Sequence, residues 1–207
     1  MAKRELICMD ALKWLQQQPE KSVSNVITGI CDLDEMSGLD VPKYLEFFKS
    51  VGDQVFKKLK PDGYAIFIQT DRKYQKNWID KSYILNHLAR MNGFKLVWHK
   101  IVLHRDVNST DLHRPTYAHM LCYTVTGTSG AATPDVIPVS SKTYKNATPK
   151  LAAERAVEFI SKYSPYSEIV DPFVGQGTIV VAANDRGLNA VGIDIDPNQI
   201  EITKNKK

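Results

Sequence analysis

The stretch DPFVGQGT, residues 171–178, has only 29 of the 207 residues after it. A glycine-turned loop between a strand and a helix normally opens a nucleotide-binding α/β sheet, with most strands still to come. Here almost the whole chain precedes the loop. Whatever sheet SEIVD (167–171) enters must therefore be built mainly from strands written before it.

Short β-rich runs alternating with helical patterns supply those strands. RELICM (4–9), SVSNVITGI (22–30), YAIFIQ (64–69), FKLVWHKIVL (94–103), YAHMLCYTV (117–125), SEIVD and NAVGID (189–194) read as seven strands. Helices are expected over 10–18, 41–59, 80–93, 148–163 and 178–187. In the second of these, Tyr44, Phe47, Phe48, Val51 and Val55 share one face. PDG (61–63) reads as a turn. Strands 94–103 and 117–125 have no helix between them and should pair antiparallel. The expected fold is α/β: a seven-stranded, mostly parallel sheet with helices on both faces. One domain, 1–207, should hold it, with 126–147, rich in Thr, Ser, Pro and Gly, as a mobile loop.

Composition narrows the classes of function. Charged residues at 24% and hydrophobic ones at 43% describe a globular protein. The longest apolar runs, such as TIVVAA (178–183), are too short to cross a bilayer, so no membrane role is expected. The first residues, MAKRELICMDALKW, contain no secretion signal. Three widely spaced cysteines, Cys8, Cys31 and Cys122, form neither a disulfide framework nor a metal cluster, which points to a reducing, cytoplasmic setting. His104 and His113 have no Cys or acidic partner at ligand spacing, so no metal is expected. A net charge of +4 permits a polyanionic partner.

In DPFVGQGT, Gly175 and Gly177 let backbone approach a ligand, and the following helix offers free amides and a positive dipole end. A dinucleotide fingerprint would need glycine at 180, where Val180 stands, and a phosphate loop would need lysine after Gly177. Asp194 ends the next strand, 17 residues after Gly177, where a carboxylate can take two ribose hydroxyls. Acidic strand ends around a two-glycine turn suit a nucleoside without phosphate, and S-adenosylmethionine is such a ligand.

With these residues the chain resembles the S-adenosylmethionine-dependent amino-methyltransferases of the permuted kind found in bacterial DNA modification. DPFVGQGT and VGIDIDP (191–197) are the specific part, and the resemblance implies a Rossmann-like sheet with a circularly permuted strand order. ICMDALKWL (7–15), LKPDGYAIFI (59–68) and the strands GFKLVWHKIV and HMLCYTV extend the likeness over essentially the whole chain. The resemblance implies that Asp171, Pro172, Phe173, Gly175, Gly177 and Thr178 wrap the methionine end of the cofactor, and that Asp194 holds the ribose. It implies contact of Asp10 with the adenine amino group and of Thr148 with the methionine carboxylate. Asp10 and Thr148 also read as helix caps.

The family's Asp/Asn/Ser-Pro-Pro-aromatic signature should follow VIT (26–28). This chain has GICDLDEMSG (29–38) instead. Three readings stand side by side. Asp32, Asp34 or Glu35 supplies the acceptor carboxylate for a base amine of DNA or RNA, with Asp32 leading. Cys31 acts as a nucleophile. Or the chain is a catalytically inactive, cofactor- or partner-binding subunit. Without prolines the loop should be mobile, and a protein partner would complete the substrate site. Arg72, Lys73, Tyr74, Lys76 and Trp78, with His104, Arg105, His113 and Arg114, interleave basic and aromatic groups suited to nucleic acid.

Overall fold

The computed structural model describes residues 2–36 and 38–206. Its main sheet has eight strands in the order β1-β10-β9-β2-β3-β7-β6-β8. They are β1 (Arg4–Cys8), β2 (Val23–Thr28), β3 (Leu59–Gln69), β6 (Lys95–Leu103), β7 (Tyr117–Thr124), β8 (Val136–Ile137), β9 (Glu168–Asp171) and β10 (Asn189–Asp194). β1, β10, β9, β2 and β3 run parallel, and β7 pairs antiparallel to both β3 and β6, as expected from the missing helix between them. The late strands β9 and β10 lie inside the sheet. β9 sits beside β2, with Asn25 Nδ2 donating to the Glu168 carbonyl at 2.8 Å.

The eighth strand corrects the count of seven. Val136–Ile137 pairs parallel to β6 within the segment read as a mobile loop. Two residues carry no readable period, so the sequence hides it. Ile101 N–H donates to the Asp135 carbonyl at 2.8 Å, and Lys100 Nζ to the Thr133 and Pro134 carbonyls at 3.0 Å. PDG is likewise no turn but an irregular part of β3, opposite a register shift in β2. A side chain at Gly63 would meet the Ser24 carbonyl oxygen at 2.0 Å, so only glycine fits. A small hairpin, β4 (Arg72–Tyr74) and β5 (Asn77–Ile79), was also unforeseen. Gln75 and Lys76 turn it at positive φ without the usual glycine or asparagine. Trp78 Nε1 to Asp71 (2.9 Å) and Lys73 N–H to the His113 carbonyl (2.9 Å) hold it beside the 104–116 segment.

Helices cover both faces, because the strands alternate their apolar side chains between them. α1 (Ala11–Gln17), α2 (Val41–Lys58) and α3 (Lys81–Met91) cover one face. There Leu15, Tyr44, Phe48, Val51, Val55 and Leu85 pack on Val26, Ala65 and Phe67. α4 (Lys150–Tyr163) and α5 (Thr178–Asp185) cover the other, where Ala152, Ala156, Ile160 and Val180 meet Ile27, Ile66 and Ile169. α6 (Pro197–Lys204) contacts β1 and β10. Among the described residues no helix is long and apolar enough to cross a membrane.

Candidate active site

The carboxyl ends of the five parallel strands, the end of β6 and the start of β7 share one edge of the sheet. A cavity of about 530 Å³ opens there, the place where open α/β sheets bind ligands.

The glycine loop forms one wall. Asp171, at the end of β9, is buried; its Oδ1 accepts from Thr28 Oγ1 (2.8 Å) and Phe173 N–H (3.1 Å). Burial, with a contribution from Asp194, pushes its carboxyl up to about 7. Gly175 and Gly177 have φ of +49° and +80°. A side chain at Gly175 would strike Tyr144 Oη at 2.6 Å, and one at Gly177 would strike Thr203 Cγ2 at 2.5 Å. The loop therefore needs both glycines for backbone conformation and for space. Asp194 ties strand to loop: Oδ2 accepts from Gly175 N–H and Oδ1 from Asp196 N–H, both at 2.9 Å.

Every residue assigned to the cofactor from sequence lines this cavity except Gly177: Asp10, Thr148, Asp171, Pro172, Phe173, Gly175, Thr178 and Asp194. Gly177 is the left-handed cap of α5 beneath it. Asp10 also caps α1, accepting from Lys13 N–H at 2.9 Å. Thr148 caps nothing, because Pro149 is the cap residue of α4. The sequence reading missed Tyr144, Asn146 and Gln199 on the same wall. Asn146 Oδ1 and Gln199 Oε1 are buried without a hydrogen-bond partner among the described residues. Burial, then Glu35, Asp194 and Asp171, push the Tyr144 hydroxyl up to about 12. This half of the cavity is negative.

Residues 30–35 of the loop that replaces Pro-Pro-aromatic are tied to their surroundings by hydrogen bonds. Gln69, the last residue of β3, accepts from Ile30 N–H (2.9 Å) and donates to the Ile30 carbonyl (3.0 Å). Tyr44 Oη donates to the Cys31 carbonyl at 3.2 Å. Gly29 stands directly after β2, where a side chain would meet the Ile68 carbonyl oxygen at 2.9 Å. Asp32 is buried and caps a short 3₁₀ turn, 33–35, in a capping box with Glu35. Its carboxylate receives Lys81 Nζ at 2.8 Å, Arg114 Nη2 at 3.1 Å and Arg72 Nη1 at 3.4 Å. Burial pushes that carboxyl up, but Lys81, the Leu33 amide and Arg114 outweigh it and hold it below the usual range.

Three cations thus surround the Asp32 carboxylate and keep it ionised. A carboxylate neutralised by three cations is a poor proton acceptor and a good anchor. Asp34 is exposed and paired with Arg72 (3.1 Å) and Arg114; it pins the 104–116 segment to the loop. Cys31 lines the cavity, but burial and Glu35 push its thiol up to about 12. That surrounding opposes formation of a nucleophilic thiolate.

Across His104, Arg114, Lys142, Lys145 and Asn146 the cavity continues into a second one of about 590 Å³, where Arg72 and Arg105 also line the wall. The charge reverses along one groove, acidic at the glycine loop and basic beyond the loop after β2. The exposed aromatic rings of Tyr74 and Trp78 stand on the neighbouring hairpin. Among the described residues no group of His, Cys, Asp and Glu has the arrangement of a metal site.

Residues 123–205 match the family model N6_N4_Mtase, described as DNA methylase. The Type II methyltransferase M.HpaI of Haemophilus parainfluenzae is 24% identical over 238 residues, spanning 98% of this chain and 74% of that protein. The fold is shared with TTHA0409 of Thermus thermophilus, solved in complex with S-adenosyl-L-methionine. The TM-score is 0.72 at 20% identity, covering 98% of this chain and 93% of that one. It is shared also with the cytosine-N4-specific PvuII DNA methyltransferase, with a TM-score of 0.74 at 17% identity over 99% and 86% of the two chains. The resemblance read from DPFVGQGT and VGIDIDP is borne out by these matches.

Proposed function

We propose that this chain is an S-adenosylmethionine-dependent methyltransferase acting on an amine of a DNA base. One observation carries the reading: a single groove holds an acidic, glycine-walled half and a basic half, meeting at the loop after β2. A cofactor with a sulfonium and an ammonium fits the first, and a polyanion fits the second. The family match and the M.HpaI relative support DNA over RNA as the acceptor and activity over an inert subunit.

S-adenosylmethionine, when bound, supplies an electrophilic methyl group. This chain's residues bind and orient. Asp194 takes the ribose hydroxyls with the acceptor capacity left after its two backbone bonds. Asp171, buried and reluctant to ionise by itself, meets the cationic methionine end, and Gln199 Oε1 is available to an amino hydrogen of adenine. Asp32 positions Arg114 and the turn. A neutral exocyclic amine needs alignment more than prior deprotonation. Asn146 Oδ1, an unpartnered acceptor on the wall between the two halves, is the group we assign to hold that amine by its hydrogen. The 126–147 segment is spent on β8 and the cavity wall.

Incubation with methyl-labelled cofactor should label duplex or single-stranded DNA and leave RNA unlabelled. Digestion to nucleosides and mass spectrometry then identifies the methylated base. Cofactor binding with no label on any DNA would sink the proposal in favour of the inert subunit. Cofactor affinity should rise with pH between about 5.5 and 6.5, by up to about tenfold, as Asp171 ionises toward the ammonium. The sign follows from a carboxyl whose pKa is raised in the free protein and lowered by a bound cation. Calorimetry on Asp171→Asn should show a flat profile over that range.

A further inference from the structure

The second cavity contains cations that no carboxylate among the described residues neutralises. Arg72 and Arg114 are matched by Asp32 and Asp34, and Arg105 by Asp111 at 3.1 Å. Lys142 and Lys145 have no carboxylate within salt-bridge distance among the described residues, although both line the junction of the two cavities. Lys142 is half-buried, and burial together with Arg114 lowers its pKa, which is the state of a cation lacking a counter-charge. His104 lies among them. Its Nε2 meets Thr70 Oγ1 at 3.0 Å, whereas its Nδ1 is buried without a partner among the described residues. Burial, then Lys142, Arg114 and Arg105, push its pKa down to about 4, so the ring is neutral and keeps one N–H. When Thr70 donates to Nε2, that N–H is on Nδ1.

A half-buried lysine without an acid, a neutral histidine N–H without an acceptor and a rim of arginine call for a compact oxyanion. We propose that the second cavity is a phosphate subsite, in which Lys142, His104 Nδ1 and Arg105 hold a backbone phosphate beside the target nucleotide. This rests on the nucleic-acid reading above and goes beyond it by assigning the groups that grip the strand. Phosphate contacts position a nucleic acid without reading its sequence, which fits a groove bearing no base-reading insert. The register between this phosphate and the amine at Asn146 would then be set by neighbouring walls of one groove. The same chemistry would accept a free nucleotide phosphate, and the test separates the two sources.

Two measurements are needed. In the first, histidine NMR titration follows His104 with and without inorganic phosphate. Phosphate should raise its titration midpoint by at least one pH unit, and Lys142→Met should abolish that shift. In the second, DNA affinity is measured against salt for wild type, Arg105→Ala and Lys142→Met. Each variant should flatten the slope of log affinity on log salt, by up to about 0.9 for a fully lost phosphate contact. Arg105 lines only the second cavity, so Arg105→Ala should leave cofactor affinity within about twofold. A cofactor titration of Lys142→Met checks that its pocket is folded. Unchanged His104 midpoints overturn the subsite even if the protein methylates DNA. A phosphate-dependent shift combined with unchanged salt slopes overturns the backbone occupant in favour of a free phosphate. Failure of the methyl-transfer assay alone moves neither readout.

Discussion

Asp194→Ala is expected to weaken S-adenosylmethionine binding by at least about 100-fold. Two effects add. The carboxylate would lose its charge-assisted hydrogen bonds to the ribose, each contributing roughly 1.5–3 kcal/mol. It would also lose its grip on Gly175 N–H and Asp196 N–H, both at 2.9 Å, which fix the glycine loop against β10. Asp194→Asn keeps one acceptor oxygen and should fall in between. Isothermal titration with cofactor tests both, and equal affinity in wild type and Asp194→Ala would remove the ribose assignment. Thermal melting without cofactor separates the effects, since a loosened loop lowers the melting temperature and a lost ribose contact does not.

Lys81→Met should destabilise the fold by about 3 kcal/mol, the lower end of the range for breaking a buried ion pair. Lys81 is fully buried at the start of α3, with Nζ 2.8 Å from Asp32 and 5.3 Å from the centre of the Tyr44 ring. The lower end applies because Arg114 and Arg72 still face Asp32. Denaturant unfolding gives the number. Asp32→Leu/Lys81→Met, which removes the charge together with its partner, should recover much of the loss. If the single variant unfolds at the wild-type midpoint, the cluster is not a structural anchor, and Asp32 returns as a candidate proton acceptor.

Asp194 and Asp32 mark how far placement can be read from the sequence and where it stops. Asp194 was legible because strand ends and glycine turns are local signals: spacing alone places a carboxylate beside a loop 17 residues away. The parallel order followed from alternation, and the antiparallel pair from a missing helix. The charge environment of Asp32 was not legible. Its partners Lys81, Arg72 and Arg114 lie 49, 40 and 82 residues away along the chain, so its charge state is decided only when α3, the hairpin and the 104–116 segment converge. The same holds for Tyr144, Asn146 and Lys142, in a stretch whose composition reads as loop. β8 escaped because two residues have no period, and the hairpin because Gln75 and Lys76 adopt left-handed backbone that other residues signal better.

The Gln69 side chain bonds both ways to the backbone of Ile30, extending the ladder between β2 and β3 by one rung made from an amide side chain. A proline at position 30 would have no N–H to offer, and the buried Gln69 oxygen would be stranded. The two positions are thus epistatic. Neither the residues of the usual signature nor this glutamine can be exchanged alone without crossing a stability valley. Grafting Pro-Pro into 30–31 of this chain should therefore yield a less stable protein rather than a conventional relative. Homologues with proline at 30 are expected to have abandoned glutamine at 69, as a lineage that changed its catalytic loop by paired replacement would leave recorded in its descendants.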